Sequence, residues 1–232
     1  VQVAEAPALN LRQMAWRKFR RHKMAVAGAV TLALLILYSF GGALVFSEAY
    51  ANFNDTGNRL QAPSWQHPFG TDQIGRDVLA RTVYGGQISL LIGLLAVLLG
   101  LLIGVLVGAL AGFYGGWLDS ILMRIAEAVL IIPSLFLLIV MAKFFGGRVP
   151  DITLLGRSFS GSVVVIILII GLTSWMYLAR IVRAEFLSLK EKEFVLAARA
   201  IGAPSQRIIF THVLPNCIAP IIVTATLGIA GA

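Results

Sequence analysis

Read for polarity alone, the chain alternates between long apolar runs and shorter polar stretches. Five runs, Met24 to Phe46, Tyr84 to Gly112, Ser120 to Ala142, Ser158 to Ala179 and Val213 to Ala232, are long enough to cross a bilayer, since about 20 helical residues span a hydrocarbon core of roughly 30 Å. Apolar residues are continuous within each run rather than alternating, which predicts helices and not barrel strands, because lipid forces each segment to satisfy its own backbone. The predicted fold class is an all-α integral membrane bundle.

The polar stretches divide the chain further. Residues Val1 to Gln13 carry no hydrophobic period, and Met14 to Lys23 reads as a short basic amphipathic helix with Trp16 and Phe19 at headgroup level, so residues 1–23 form a basic N-terminal segment. The first span, 24–46, leads into a loop over 47–83, and residues 84–232 form a core interrupted by a polar loop over 184–212. The small residues Ala49 and Ala51 resemble a cleavage site, but the preceding apolar run is longer than a signal peptide needs and further spans follow. The chain begins with Val1 and stops within its fifth run, and a longer protein is expected.

Composition and charge sharpen this picture. Hydrophobic residues make up 58% of the chain and charged ones 13%, with a formal charge of +8, so the charge is informative by location. Arg12, Arg17, Lys18, Arg20, Arg21 and Lys23 precede the first span; Arg180, Arg183, Lys190, Lys192, Arg199 and Arg207 flank or occupy the polar loop. With Arg124 these put thirteen basic residues on one side against six on the other, predicting a cytoplasmic N-terminus. Cys217 is the only cysteine, which excludes an intramolecular disulfide and reads as a small buried residue.

Local signals add detail. In the 47–83 loop, Thr71 or Asp72 is placed to cap a helix leading into the second span, and Asp72–Arg76 and Asp77–Arg81 sit at i,i+4 spacing for ion pairs. His67 with Asp72 and Asp77 lacks the compact ligand set of a metal site. Gly100, Gly104, Gly108 and Gly112 form a smooth stripe every four residues, which predicts a closely packed helix from this chain or a partner. Phe113 to Asp119 reads as a tight turn, Arg124 and Glu127 as a self-paired couple, and Pro133 as a kink. Trp175 and Tyr177 suit a membrane interface.

The 184–212 loop carries the most specific pattern. Phe186, Leu189, Phe194, Ala197, Ala198 and Ile201 share one helical face, Gly202 is placed to end the helix, and Pro204 suits the start of the next. The face of Ala197, Ala198 and Ile201 either folds on its own bundle or docks into a groove of a soluble partner.

The run "LAARAIG" at Leu196 to Gly202, with Leu214 and Pro215 beyond it, resembles the EAA loop of permease subunits of ATP-binding-cassette importers. That motif is Glu-Ala-Ala, three residues, glycine, nine residues, then Ile-x-Leu-Pro; Leu196 stands where it has glutamate and His212 where it has isoleucine. Together with "HPFGTDQIGRDVLARTVYGGQISLLIG", the loop is similar to the C-type permease of the dipeptide and oligopeptide branch, a type I importer bundle with a sixth span. The resemblance implies docking of Glu193, Phe194, Ala197, Ala198, Arg199, Ile201, Gly202 and Ala203 on an ATPase, with Leu214 and Pro215 closing the motif. It also implies a homologous B-type permease, two cytoplasmic ATPase subunits carrying ATP and Mg, an extracytoplasmic peptide-binding protein, a bacterial inner-membrane location and no nucleic acid.

No glycine is followed by lysine, so the phosphate-cradling loop is absent, and His22, His67 and His212 are scattered; a non-catalytic subunit without its own cofactor is expected. A secondary transporter or channel is the rival reading, disfavoured by the scarcity of ionisable residues within the spans, and a packing scaffold is another. Nickel complexes, glutathione and oligosaccharides are the alternative solutes that the resemblance leaves open.

Overall fold

A computed structural model describes residues 11–145, 147–154 and 157–231. It divides into two compact units, residues 1–89 and 90–232. Most of residues 1–13, expected as a loose tail, lies outside the described residues.

In the first unit, α1 (Leu11–Arg21) carries Trp16 and Phe19 stacked at 5.6 Å. His22 separates it from α2 (Lys23–Ile36) by accepting a hydrogen bond at Nδ1 from the Ala25 amide, which satisfies one of the donors every helix start leaves over. A π-turn, Leu37–Gly41, extends α2. The Gln87 amide donates to the Ser39 carbonyl at 2.6 Å, a side-chain partner at the turn where the backbone pattern changes. The short α3 (Glu48–Asn52) follows.

The loop before α4 (Val78–Tyr114) is tied by its own polar groups. Thr71 Oγ1 donates to the Asn58 carbonyl at 2.5 Å and accepts from the Gln61 amide at 2.9 Å. Gly70 and Gly75 have φ of +73° and +84°, and a Cβ on Gly75 would collide with the Asp55 backbone, so only glycine fits there. The helix cap is neither Thr71 nor Asp72, as expected, but Asp77, whose Oδ1 accepts from the Ala80 amide at 2.8 Å. The ion pairs are redistributed for the same reason. Asp72 takes both Arg76 (2.8 Å) and Arg81 (2.9 Å), while Asp77, turned inward to cap, meets His67 Nδ1 at 2.8 Å. Burial pushes the Asp72 carboxyl up, but the amides of Arg76 and Ile74 and the Arg76 guanidinium outweigh it and hold the group below the ordinary carboxylate value.

The second unit is built around the remainder of α4 and α7 (Gly161–Leu189). The glycine stripe faces α7: a Cβ on Gly104 would lie 2.8 Å from the Trp175 carbonyl, on Gly108 2.5 Å from that of Ala179, and on Gly112 2.7 Å from that of Arg183. The neighbour is therefore in this chain, and backbone-to-backbone approach supplies packing that apolar side chains cannot gain from lipid.

The expected third span is not one helix. α5 (Gly116–Ile131) and α6 (Ser134–Phe145) meet at a bend of 80°. Ile132 is extended (φ −76°, ψ 121°), because the ring of Pro133 disfavours helical geometry in the residue before it. The expected kink is thus a full break. Between α6 and α7 lies the one sheet among the described residues, a ribbon of β1 (Ile152–Leu154) and β2 (Arg157–Phe159) pairing antiparallel. The all-helical class holds around it.

Four helical stretches are long and apolar enough to cross a membrane, Lys23–Gly41, Val78–Tyr114, Gly161–Leu189 and Ser205–Ile229, and α5 with α6 makes a fifth as a broken span or a re-entrant loop. α2 has no buried residue, and Leu102, Leu106 and Leu110 of α4 are exposed, the inside-out surface a lipid solvent allows.

Candidate functional site

The polar loop does not form a single helix carrying all six expected apolar positions. α7 continues through Phe186 to Leu189, the chain turns at Lys190–Lys192, and α8 (Glu193–Ala200) begins. The break has a local origin: Lys192 is extended (ψ 148°) and its carbonyl accepts from the Val195 and Leu196 amides, opening a new helix with Glu193 in its first turn, where the helix dipole favours an acid.

α8 closes with a left-handed glycine. Gly202 has φ of +79°, its amide donates to the Arg199 carbonyl (2.9 Å), and the Ala203 amide donates to that of Ala198 (3.0 Å). This pair of bonds is the Schellman arrangement, and it satisfies carbonyls the helix would otherwise leave bare. The motif's spacing from Ala198 to Gly202 is thus what ends α8 at Ala200, with Ile201 as its cap and Gly202 turning the chain.

This geometry splits the expected docking face. Ala198 is only 5% exposed and Val195 is fully buried; both join a core with Phe113 of α4, Val182 and Phe186 of α7, and Ile208 and Val213 beyond the loop. Ala198 is therefore unavailable to a partner, contrary to expectation, because a residue one position from Ala197 points about 100° away around a helix. The apolar groups left outside are Phe194, Ala197 and Ile201, the last 85% exposed. Leu196 is exposed beside them. Glu193 and Arg199 are exposed, Ala203 half-buried, and the Arg199 guanidinium lies 5.4 Å from the centre of the Phe113 ring, a cation–π contact that ties α8 to the end of α4.

The end of the motif shapes the next helix. From α9 (Ser205–Arg207) the chain passes through a π-turn, Ile208–Val213, and a tighter turn, Leu214–Cys217, into α10 (Ile218–Gly231). Pro215 has no amide hydrogen to give. The Leu214 amide reaches back to the Ile209 carbonyl, and the Asn216 side chain donates to the His212 carbonyl at 2.7 Å. Leu214 packs against the core and Pro215 is exposed. His212 is half-buried where the motif has isoleucine. The final helix thus begins well before Val213, where the apolar pattern starts.

Two features escape the apolar pattern altogether. Arg183 of α7 forks onto Asp119 of α5: its Nε meets Oδ1 and its Nη2 donates to Oδ2 at 2.6 Å. They are 64 residues apart, so no helical spacing relates them. A hollow of about 560 Å³ lies between the same helices, lined by Met123, Glu127, Tyr177, Arg180, Ile181 and Ala184. The expected Arg124–Glu127 couple is present but long, at 3.7 Å and with both side chains exposed, an arrangement worth little. No cluster of metal-ligating side chains occurs among the described residues.

Comparison with known proteins places this architecture. Residues 104–232 match the family of binding-protein-dependent transport system inner membrane components, and residues 10–63 match the N-terminal transmembrane domain of oligopeptide transport permease C. The chain is 38% identical over 226 residues to the dipeptide transport system permease protein DppC of Bacillus subtilis, covering 97% of this chain and 66% of that protein. It is 39% identical over 225 residues to the oligopeptide transport system permease protein OppC of Escherichia coli K12, covering 96% of this chain and 70% of that one. With the dipeptide permease DppC of Alkalihalophilus pseudofirmus it shares 38% over 214 residues, 92% of this chain and 66% of the relative. The chain thus spans about two thirds of the length of the relatives it matches. A multi-span bundle, the α8 loop and these two matched regions together make the chain a member of the family of binding-protein-dependent transport system inner membrane components.

Proposed function

We propose that this chain is a permease subunit of an ATP-driven importer of di- or oligopeptides, forming half of the translocation path and coupled to a cytoplasmic ATPase through α8. The observation that carries the reading is the two-sided construction of α8. Its inner face, Val195 and Ala198, is built into the core with α4 and α7, while Phe194, Ala197 and Ile201 stand outside. A helix so placed transmits force: whatever grips the outer face moves α7 and α4 as a body. The names of the relatives, dipeptide and oligopeptide permeases, supply the solute class.

In this reading the N-terminus and α8 are cytoplasmic, as the distribution of Lys and Arg favours, and the loop carrying Asp72 and Asp77 faces outside. A homologous permease, two ATPases holding ATP and Mg, and an external binding protein complete the complex, and this subunit performs no chemistry. The test is purification of the full-length subunit with its neighbours, followed by ATP-dependent uptake of labelled di- and oligopeptides alongside nickel complexes, glutathione and oligosaccharides. Recovery of an ATPase and uptake of peptide are the expected results. Transport without ATP, or of a different solute only, would sink it.

A further inference from the structure

The hollow between α5 and α7 is chemically unlike the rest of the apolar surface. It presents a carboxylate, Glu127, and a guanidinium, Arg180. Arg183 also borders it but is committed to Asp119. Arg180 has no ion pair with any described residue, and Glu127 has only the long, exposed contact with Arg124. Charged groups on membrane helices are costly to face toward lipid and mark water-filled or solute-bearing surfaces.

A second hollow, of about 410 Å³, lies on the other side of the same ridge of α7: Tyr177 and Ile181 line both. Its walls are mostly apolar, with Val97 and Leu227 facing Ser174 and Thr224. Both hydroxyls are already spent on their own helices, Ser174 Oγ donating to the Gly171 carbonyl and Thr224 Oγ1 to that of Pro220. That hollow therefore offers volume and apolar surface without directional demands.

We infer that this ridge of α7 faces the transported solute, with Arg180 receiving a carboxylate and Glu127 an ammonium group, while the neighbouring hollow accommodates whatever side chains come with them. The solute class that fits is one with constant charged ends and variable sides, a short zwitterionic peptide. The inference rests on the import reading above and adds the residues that touch the solute, beside a hollow that sets no directional demand on its side chains. Arg180 provides two parallel donors for a carboxylate, which a lysine ammonium would not reproduce.

The test uses the complete transporter in liposomes. Cys217, the only cysteine of this chain, is replaced by serine, and Ala184→Cys is introduced at the hollow's edge. Modification by anionic and cationic thiosulfonates is followed by mass spectrometry of this chain. The anionic reagent should react several-fold faster, Arg180→Gln should abolish that preference, and Glu127→Gln should enlarge it. A transported dipeptide with binding protein and ATP should slow modification at least threefold. Arg180→Lys retains the charge; it should keep the reagent preference and lose most of the peptide protection.

An unreactive Ala184→Cys would place the face in lipid and overturn the inference. So would protection by phosphatidylglycerol vesicles, relative to phosphatidylcholine, that peptide does not add to. Uptake of the same labelled peptide by the complex is measured in parallel. Uptake without protection removes this inference alone; absence of any peptide uptake removes the import reading and this inference with it.

Discussion

Arg183 and Asp119 face each other across α7 and α5 in a two-pronged ion pair, the Asp119 side chain being 14% exposed. The geometry is the fork-to-carboxylate match that makes arginine strong in partly dry surroundings. Removing either partner leaves the other poorly solvated, so Asp119→Asn or Arg183→Gln should each destabilise by about 1–3 kcal/mol. Thermal unfolding in detergent of the two single variants and the double variant measures the coupling, and full additivity would mean that the pair contributes nothing.

The glycine stripe predicts a graded series. A Cβ on Gly100 meets the Ser174 hydroxyl, which can rotate aside, whereas on Gly108 it meets the Ala179 carbonyl and on Gly112 the Arg183 carbonyl and the Phe186 Cβ. Backbone cannot step away without separating α4 from α7. Gly100→Ala should therefore cost little, and Gly108→Ala or Gly112→Ala should cost about 1–3 kcal/mol each, read as loss of monodisperse protein on heating. Equal effects at the three positions would contradict the contact geometry.

In α8 the two faces should separate cleanly. Ala198→Leu overfills the core around Phe186 and Ile208 and should lower the melting temperature of the subunit itself. Ile201→Asp touches nothing in this chain's core; it should leave that temperature within a few degrees while abolishing copurification of the ATPase. Finding the reverse pattern would remove α8 as the docking element.

At Gly202 a Cβ would meet nothing within 4 Å, yet φ is +79°, so the cost of a side chain is in the backbone, about 1–2 kcal/mol for an ordinary residue. Gly202→Asn, which tolerates that conformation, should fold and support uptake. Gly202→Trp should fold less well and uncouple ATP hydrolysis from transport because its ring occupies the space beside Ile201. Wild-type uptake by Gly202→Trp would refute the coupling role.

The loop before α4 should be acid-sensitive. Asp72 is held below its ordinary value in the fold, so it contributes stability that is complete above the unfolded-state value and is lost as pH falls through the lower folded one. Hydrogen-exchange protection factors at the Ile74 and Arg76 amides, both donors to Asp72, should fall over that acid range. Asp72→Asn should remove the pH dependence of protection, and protection that is flat with pH in the wild type would count against it.

What could be read from the chain was whatever depends on local periodicity. The apolar runs located the membrane helices, the four-residue glycine spacing announced a close helix contact, and Gly202 three residues past Arg199 announced a helix end. Errors arose wherever a residue had two local solutions. Asp77 was as well spaced to pair with Arg81 as to cap α4, and the cap, with His67 behind it, prevailed because the loop turned it inward. Ala198 had the composition of a docking residue, but the turn at Lys190–Lys192 rotated α8 so that it faced Phe186.

The sequence by itself determined that the chain is a helical membrane protein and where its apolar segments lie, because bilayer thickness and helical pitch act within a single segment. Only the tertiary structure decided that the glycine stripe meets α7 of the same chain, that Arg183 finds Asp119, that Pro133 turns a span through 80°, and that Glu127 and Arg180 share one hollow. Each of these depends on the separation and rotation of helices distant in sequence. Those are set by how whole surfaces fit in a medium that offers no hydrophobic force between helices, and no local pattern encodes that fit.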